Sequence, residues 1–430
     1  MEMTQECIRN GEGNAVAAEI HPCGAPSHKL AFVLAIAAIG LSAVHFWPFE
    51  QSKTWQMACP PNLAAAAWIV LAGSYALWQR GLDAIVGSLP HVSVLAFLTI
   101  CLLSVAFAHD AGRAFSHTAK SGLMLVGGYA LLHTAMSDRR SVSILLGAAT
   151  VATVLSVGGC LAARYGFRRD SFCFYESGYK YGTYTGILSP LCSIYLLQHT
   201  GWRRAVGAVL LLAATASCAT VGAIAGIAAG VAVFLLTARG GRARGLALGA
   251  LALGSTSAVV FPPPVRGTIR DDVSLVERKA DDLRQRYIEW QAEINLLAER
   301  GAVGTGAGSI NDYRSEYYYR LPKLNTLEAF DQNGWLACAA ELGIPGLVCF
   351  SWTILAYFRM ALRSLGDMAG ASGGGVHTFA SAGLAGLAAA CTTNVFSSVH
   401  YNGVLIAFAF VLALIAKTHA LLEASSHASD

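Results

Sequence analysis

Four basic residues lie in one short segment between two apolar runs: Arg164, Arg168, Arg169 and Lys180. Guanidinium and ammonium groups bind phosphate and carboxylate oxygens through charge-assisted hydrogen bonds, so this group predicts binding of an anionic ligand. A second interpretation is equally open. Asp170 and Glu176 lie in the same segment, and pairing with them would leave an ordinary solvated loop.

A polar stretch of the chain, from Pro262 to Gln332, contrasts with the apolar segments on either side. Within it, an apolar residue recurs at every third or fourth position: Leu283, Tyr287, Trp290, Ile294 and Leu297. This spacing predicts a helix over Asp281 to Glu299 with one apolar stripe, which can lie against a membrane surface. Arg286 and Trp290 are one helical turn apart, so we expect them to share a face.

Several glycines follow this predicted helix. Gly301 is expected to end it, and Gly304, Gly306 and Gly308 predict a tight turn. Glycine-rich turns can cradle phosphates, but no strand precedes this one and its spacing does not match a dinucleotide-binding fingerprint. The glycines alone therefore favour phosphate binding only weakly.

An aromatic and basic cluster comes next, with Tyr313 and Arg314 followed by the run from Tyr317 to Arg320. Tyrosine is favoured at membrane interfaces, and its ring also stacks on sugar faces. Both interpretations are open. Arg314 is a further candidate for contact with an anion.

Composition defines the class of protein. The chain is 55% hydrophobic and only 13% charged, with a mean hydropathy of +0.50, whereas soluble domains are about 25% charged. We therefore expect an all-α integral membrane protein. The net charge of +4 is too small to predict a nucleic-acid partner. The cysteines form no C-x-x-C pair, so no metal or cofactor is predicted.

A hydropathy window of about nineteen residues finds twelve candidate transmembrane spans. They cover residues 30–48, 62–78, 90–109, 118–136, 141–163, 183–199, 204–218, 219–237, 246–262, 333–358, 377–396 and 402–420. Arginine lies in every even-numbered loop, and the positive-inside rule assigns such loops to the cytoplasm. Both chain termini are therefore predicted to be cytoplasmic, and the long polar stretch is predicted to lie outside.

The predicted organisation follows from these spans. Residues 1–28 lack the pattern of a secretory signal and form a disordered cytoplasmic tail. Transmembrane helices one to nine cover 29–261, a large outer loop containing helices covers 262–332, and helices ten to twelve cover 333–420. Residues 421–430 form a second cytoplasmic tail.

Taken in order, these motifs resemble the O-antigen ligase and O-antigen polymerase superfamily. The residues that carry the resemblance are Arg286-x-x-x-Trp290, Gly304-x-Gly306-x-Gly308, Asn333-Gly334-Trp335-Leu336 and Glu341-Leu342-Gly343. Arg168 to Phe172 also looks like the arginine-containing second periplasmic motif of that family. The resemblance covers spans five to ten, and about twelve helices with one large periplasmic loop near the carboxyl end fit the same family.

The resemblance implies a metal-independent glycosyltransferase with a GT-C-like fold in the bacterial inner membrane. It implies that a glycan moves from an undecaprenyl diphosphate carrier, either to lipid A core as in a ligase or to another growing chain as in a polymerase. In the family, arginines hold the diphosphate. A histidine before the asparagine of the last motif is the proposed base.

This chain departs from the family pattern in two places. Gln332-Asn333, preceded by Asp331, stands where the family commonly has His-Asn. Thr220-Val221-Gly222-Ala223 stands where it commonly has Ser-Arg-Gly-Ala. Asp331 is a candidate replacement base, because carboxylates serve as bases in glycosyl transfer. It is also a candidate N-cap of the tenth transmembrane helix, since aspartate is favoured there.

The candidate catalytic residues are thus Asp331 and Arg286. The candidate substrate-binding residues all lie in or beside the predicted outer loops: Arg168, Arg169, Lys180, Trp290, Gly304, Gly306, Arg314, Gln332 and Asn333. Four histidines outside the motif are remote candidates near predicted outer ends: His109, His117, His377 and His400.

Two other classes of function compete with glycosyl transfer. A non-catalytic relative would bind the lipid-linked glycan or scaffold a polysaccharide assembly complex, and the missing histidine and arginine favour it. A secondary transporter is suggested by twelve spans alone. The transporter is disfavoured because the chain has no ionisable residue at mid-span that would couple ions and no clear inverted repeat.

Overall fold

The computed structural model describes residues 26–43, 71–76, 78, 90–162, 178–218, 220–238, 241–260, 275–310, 313, 333–366, 374–396 and 402–427. In these ranges the regular structure is α-helical, apart from the 3₁₀ turn Val105–Phe107. The helices are α1 (Pro26–Ala43), α2 (His91–Ser104), α3 (Ala111–Ala135), α4 (Arg139–Leu161), α5 (Gly178–Leu197), α6 (Trp202–Ser217), α7 (Val221–Thr237), α8 (Gly241–Val260), α9 (Leu275–Arg300), α10 (Gly334–Gly366), α11 (Gly374–Phe396) and α12 (Asn402–His427).

The helix boundaries follow the predicted spans closely. The seventh and eighth spans, predicted to join almost without a loop, are the separate helices α6 and α7. Thr220 starts α7 as its N-cap, where its side chain accepts a hydrogen bond from the Ala223 N–H. The predicted loop helix is confirmed as α9, which begins six residues earlier than expected. The second span, 62–78, lies mostly outside the described residues, as do the two predicted tails.

Four helical segments are long and apolar enough to cross a bilayer: Arg139–Leu161, Gly334–Gly366, Gly375–Phe396 and Val404–Ala424. Shorter apolar helices accompany them, including Val221–Thr237. The all-α prediction is therefore confirmed for the described residues, and the apolar helices fit a membrane protein. The count of twelve spans and the side on which the long loop lies remain predictions.

The centre of the bundle consists of α5, α11 and α12. Residues 181–197, 376–390 and 404–416 are buried without interruption, which is typical of helices surrounded by other helices. Peripheral helices instead expose large apolar side chains, among them Leu95 in α2 and Val151 in α4. This distribution fits a bundle whose outer surface meets lipid.

Small residues bring α7 close to α5 and α11, as expected for transmembrane packing. A Cβ on Gly230 would lie 2.7 Å from Cβ of Pro190 in α5. A Cβ on Gly186 would lie 2.9 Å from Oγ1 of Thr393 in α11, and one on Gly226 would overlap the same hydroxyl. The close approach of these helices positions their ends at the candidate site.

Candidate functional site

One end of the bundle gathers the start of α5, the start of α7 and the end of α11. Gly182 lies so close to the side chain of Thr220, the N-cap of α7, that a Cβ there would overlap it. A Cβ on Gly222 would lie 2.6 Å from Cβ of Phe396, the last residue of α11. The departure from the family pattern at Thr220 thus occurs at a point where three helices meet.

The start of α10 meets the same end of α11. Gly334 packs directly against the amide of Asn394, and Trp335 Nε1 donates a hydrogen bond to the Cys391 carbonyl oxygen at 3.1 Å. We call this meeting point of α5, α7, α10 and α11, centred on Asn394 and Phe396, the junction.

The loop helix α9 reaches the junction through Trp290. The centroid of its indole ring lies 6.0 Å from that of Phe396, with the two planes inclined at 49°. Arg286 precedes Trp290 by one turn of α9. The helix therefore brings the predicted Arg286–Trp290 motif beside the helix ends that carry the other motifs.

Asn333 caps α10. Its Oδ1 accepts hydrogen bonds from the N–H groups of Trp335 and Leu336 at 3.0 and 3.1 Å. Its carbonyl oxygen accepts the first helical bond from Ala337 at 2.8 Å. The prediction that Asp331 caps this helix is therefore wrong, because the N-cap position falls two residues later.

The face of α9 that packs against α10 is not the apolar stripe predicted from the sequence. Ala292 and Leu296 contact Ala337 and Ala340 of α10 in a small apolar cluster that also includes Ile310. This face is rotated roughly a third of a turn from the stripe. Ala337 and Ala340 are small enough for the two helices to approach closely.

Two glutamates share that buried face. Glu289 is 1% exposed and Glu293 is 2% exposed, and both have polar interactions within the protein. In contrast, Tyr287 and Ile294 of the predicted stripe are 65% and 45% exposed. Sequence reasoning missed the glutamates because hydropathy assigns charged residues to the solvent face. The sequence offered one signal for their burial, which is that the two glutamates are one turn apart on the same side of the helix as Ala292.

A buried carboxylate is costly to keep unless it is paired, hydrogen-bonded or neutralised. Such groups are concentrated at functional sites, where burial and charge partners tune acid–base behaviour. Glu289 and Glu293 lie within one turn of Trp290, on the face of α9 that packs against α10.

The helix α10 is broken at Gly343, whose φ of 73° lies in the left-handed region, and Pro345 follows. The break frees the N–H of Ile344, which donates to the Gly301 carbonyl oxygen at 2.8 Å. The Glu341-Leu342-Gly343 motif therefore marks a helix break, to which the loop after α9 is attached.

The glycine loop, residues 301–309, is held in place by its own N–H groups. These donors have acceptors within the protein: Gly304 bonds to the Arg300 oxygen (2.8 Å), Thr305 to the Ala340 oxygen (2.9 Å), Gly306 to the Glu341 oxygen (2.9 Å) and Ala307 to Ser104 Oγ (3.3 Å). In this conformation the loop does not offer these donors to a phosphate.

The glycines of this loop are required by its backbone. Gly304, Gly306 and Gly308 have φ values of 77°, 92° and 72°, which favour glycine. A Cβ on Gly308 would lie 2.7 Å from Cγ of His117 in α3, and one on Gly306 would overlap Ala108. We therefore assign Gly304 and Gly306 a positioning role. The loop meets α10 about 12 Å along the helix from Asn333.

The helix is expected to end at Gly301, and α9 does end at Arg300. However, the left-handed residue is Gly304, whose N–H bonds back to the Arg300 oxygen. One extra turn, residues 301–303, therefore separates the last helical residue from the left-handed glycine.

Of the remaining candidate residues, Lys180 lies in the described part of the chain and the others do not. Lys180 lies in the first turn of α5, next to Tyr181, whose hydroxyl hydrogen-bonds Ser217 Oγ at 2.6 Å. Gly182, two residues after Lys180, packs against Thr220, so the Lys180 backbone lies beside the junction. Five candidates and one remote candidate lie outside the described residues: Arg168, Arg169, Arg314, Asp331, Gln332 and His400.

The three remote histidine candidates that the structure describes are not at the junction. The ring of His109 lies 6.3 Å from that of Tyr313, and His117 contacts the glycine loop through Gly308. His377, at the start of α11, lies 3.4 Å from Gln198 at the end of α5. It is therefore at the opposite end of the bundle from the junction, and its predicted position is wrong.

The fold and the junction define a helical membrane protein whose candidate site is built from helix ends and one loop helix. Residues 191–351 match the family model described as O-antigen ligase. The matched region contains α7, α9, the glycine loop and the first half of α10. The match supports membership of the O-antigen ligase and polymerase superfamily, which the motifs indicated. No curated protein sequence matches the chain.

Proposed function

We propose that the protein is a glycosyltransferase of the bacterial inner membrane, active at the periplasmic face. It transfers a glycan from an undecaprenyl diphosphate carrier to an acceptor glycan, as a polymerase, or to lipid A core, as a ligase. The family match over 191–351 supports action on a lipid-linked glycan in general. The observation that carries the proposal is that two family motifs meet at the junction, Arg286–Trp290 through Trp290 and Asn333–Leu336 through Gly334.

The geometry of α9 and α10 supports this convergence. The bond from Ile344 N–H to the Gly301 oxygen joins the two helices at one end. Trp290 and Asn333 each lie roughly three turns back from that bond, on helices that pack side by side. Arg286 is one turn further back, so the backbone of α9 extends past the first residue of α10.

The proposed reaction is a displacement at the anomeric carbon. An acceptor hydroxyl oxygen attacks that carbon, and the bond to the phosphate oxygen breaks, so its electron pair leaves with undecaprenyl diphosphate. Arg286, with Arg168 or Arg169 and Arg314, neutralises the leaving diphosphate because guanidinium matches phosphate oxygens in a bidentate manner. The acceptor proton passes to the carboxylate of Asp331.

The capping of the start of α10 leaves Asp331 available for this role. Asn333 supplies the N-cap hydrogen bonds of α10, so the helix does not need the Asp331 carboxylate. Gln332 and Asn333 are proposed to contact the substrate beside it, and Lys180 is proposed to contribute charge from the first turn of α5.

Membrane lipids are the proposed surroundings of the bundle. The exposed apolar residues of α2 and α4 fit contact with acyl chains. The exposed stripe residues Tyr287 and Ile294 of α9 fit contact with the membrane surface, where amphipathic helices bury one apolar side. No nucleic acid takes part.

A second function is favoured by one specific feature of the motif. Gln332 occupies the position of the family histidine, and an amide does not accept a proton at neutral pH. A relative without a base would bind the lipid-linked glycan or scaffold a polysaccharide assembly complex, using the same arginines and the same junction.

Gene deletion followed by gel analysis of surface polysaccharide and lipopolysaccharide tests the proposal. A ligase deletion leaves lipid A core without attached glycan, and a polymerase deletion leaves chains of a single repeat. Complementation with Arg286→Ala and Asp331→Asn separates enzyme from scaffold. Full restoration of chain length by Asp331→Asn, together with a loss in Arg286→Ala, would favour the scaffold or a base elsewhere, and an unchanged glycan profile after deletion would contradict both functions.

A further inference from the structure

The indole Nε1 of Trp290 is a buried hydrogen-bond donor, and it has no acceptor among the residues that the structure describes. Folded proteins seldom leave a buried donor without a hydrogen-bond acceptor. Where they do, the donor commonly binds a ligand or another functional partner. The ring itself is well placed, since its centroid lies 6.0 Å from that of Phe396 at the junction.

A second tryptophan of the same site provides a direct contrast. Trp335, in the first turn of α10, donates its Nε1 hydrogen to the Cys391 carbonyl oxygen at 3.1 Å. Both indoles contact the last turns of α11. Within the described part of the chain, Trp335 satisfies its donor and Trp290 does not, so packing at the junction does not by itself prevent such a bond.

We propose that Trp290 recognises the sugar of the lipid-linked glycan, with its Nε1–H donating to a hydroxyl oxygen of that sugar. This inference rests on the proposed function. It assigns the sugar to the part of the junction beside Trp290 and leaves the diphosphate to the arginines.

The charge around Trp290 favours a sugar over a phosphate as the acceptor. Glu289 and Glu293 are buried on the adjacent face of the same helix. A phosphate placed beside this buried face would need a positive partner of its own there, because a buried charge is costly unless it is paired. A sugar hydroxyl oxygen is neutral, and it accepts a hydrogen bond without adding a charge to this buried region.

Replacing Trp290 with Phe keeps an aromatic ring and removes only the donor. With purified protein in lipid nanodiscs, binding of undecaprenyl diphosphate without a glycan should be the same for Trp290→Phe as for wild type. Glycan assembly in complemented cells should fall about three- to tenfold, which is the loss expected for one neutral hydrogen bond.

Thermal unfolding separates this role from a structural one. Trp290→Phe should leave the Tm unchanged or slightly raised, because it removes a donor that has no partner among the residues that the structure describes. Trp335→Phe should lower the Tm, because it removes the bond to Cys391. The Tm of the protein without substrate therefore distinguishes Trp290→Phe from Trp335→Phe, although both replace tryptophan with phenylalanine.

A packing control uses the other ring of the pair. Phe396→Leu removes the aromatic neighbour and leaves the Trp290 donor in place. Equal losses of glycan assembly for Phe396→Leu and Trp290→Phe would overturn the proposal in favour of a packing role. Full assembly by Trp290→Phe would also overturn it.

Binding data distinguish the remaining outcomes. Weaker binding of bare undecaprenyl diphosphate by Trp290→Phe would assign the donor to phosphate and contradict recognition of a sugar. Failure of the wild-type protein to bind undecaprenyl diphosphate at all would contradict the proposed function itself, and the assignment of Trp290 with it.

Discussion

Gly334 in the first turn of α10 lies directly against the side-chain amide of Asn394 near the end of α11. A Cβ at residue 334 would overlap Oδ1 of that amide and lie 2.6 Å from its Cγ. Two residues further along α11, the ring of Phe396 packs against the ring of Trp290. The same turn of α11 therefore positions both the capped start of α10 and the loop helix.

Gly334→Ala tests this relationship. The added methyl group would displace either α10 or Asn394, and such overpacking typically costs about 1–3 kcal/mol. We expect a lower Tm and reduced glycan assembly. Gly147→Ala in α4 is the matched control, because nothing lies within 4 Å of the added carbon. Alanine there should raise stability by up to about 1 kcal/mol. Equal behaviour of the two variants would contradict the described contact.

Arg286→Ala is expected to reduce glycan assembly by roughly ten- to hundredfold at normal protein abundance, because one charged hydrogen bond to phosphate is lost. Arg286→Lys should also fail, since lysine does not reproduce the planar fork. Arg300→Ala at the other end of α9 is the control. That guanidinium lies over the Tyr313 ring at 4.5 Å, away from the junction. Wild-type assembly by Arg286→Ala would remove Arg286 from the site.

The helices were predictable because long apolar runs and their caps are local signals. The span predicted to begin at residue 219 is α7, which starts after its N-cap Thr220. The buried face of α9 was not predictable in the same way. Its polar residues, Glu289 and Glu293, are buried by tertiary packing against α10, which hydropathy along a single helix does not reveal.

The candidate site was predictable as a set of motifs but not as an arrangement. The Glu341-Leu342-Gly343 motif falls within a predicted span that reads as one continuous helix, and the left-handed Gly343 breaks it. The turn formed by Gly304 and Gly306 was predicted, but its N–H groups bond to that break. Such long-range partners have no signature in the spacing of the glycines.

Cysteine labelling in intact cells tests the predicted topology. In a background without reactive native cysteines, Val303→Cys should react with a membrane-impermeant maleimide, because residue 303 is 41% exposed on the glycine loop and this loop is predicted to lie outside. Ser309 is 2% exposed and is unsuitable. Arg242→Cys at the exposed start of α8 should react only after lysis. Labelling of Arg242→Cys in intact cells would reverse or invalidate the orientation.

The start of α4 predicts a pH effect on stability. The Ser141 N–H donates to the Asp138 carboxylate at 2.8 Å, and this bond lowers the pKa of Asp138 below its usual value. A depressed folded-state pKa means that the contribution is complete above the unfolded value of about 3.9 and is lost as the pH falls through the folded value. The Tm difference between wild type and Asp138→Ala should therefore shrink below about pH 4. A difference that stays constant down to pH 2 would contradict this assignment.

Asp331→Asn is the decisive test of the proposed base. Asparagine cannot take a proton, and the N-cap of α10 is supplied by Asn333, so abundance and Tm should equal those of wild type. Transfer should fall about 10²- to 10⁴-fold, the usual contribution of a positioned base. Asn333→Ala provides the contrast, because it removes the cap and should lower stability by about 1 kcal/mol. Wild-type assembly by Asp331→Asn would assign the base elsewhere, and Glu289→Gln and Glu293→Gln would then be the next variants to measure, since those two carboxyl groups flank Trp290 on the buried face of α9.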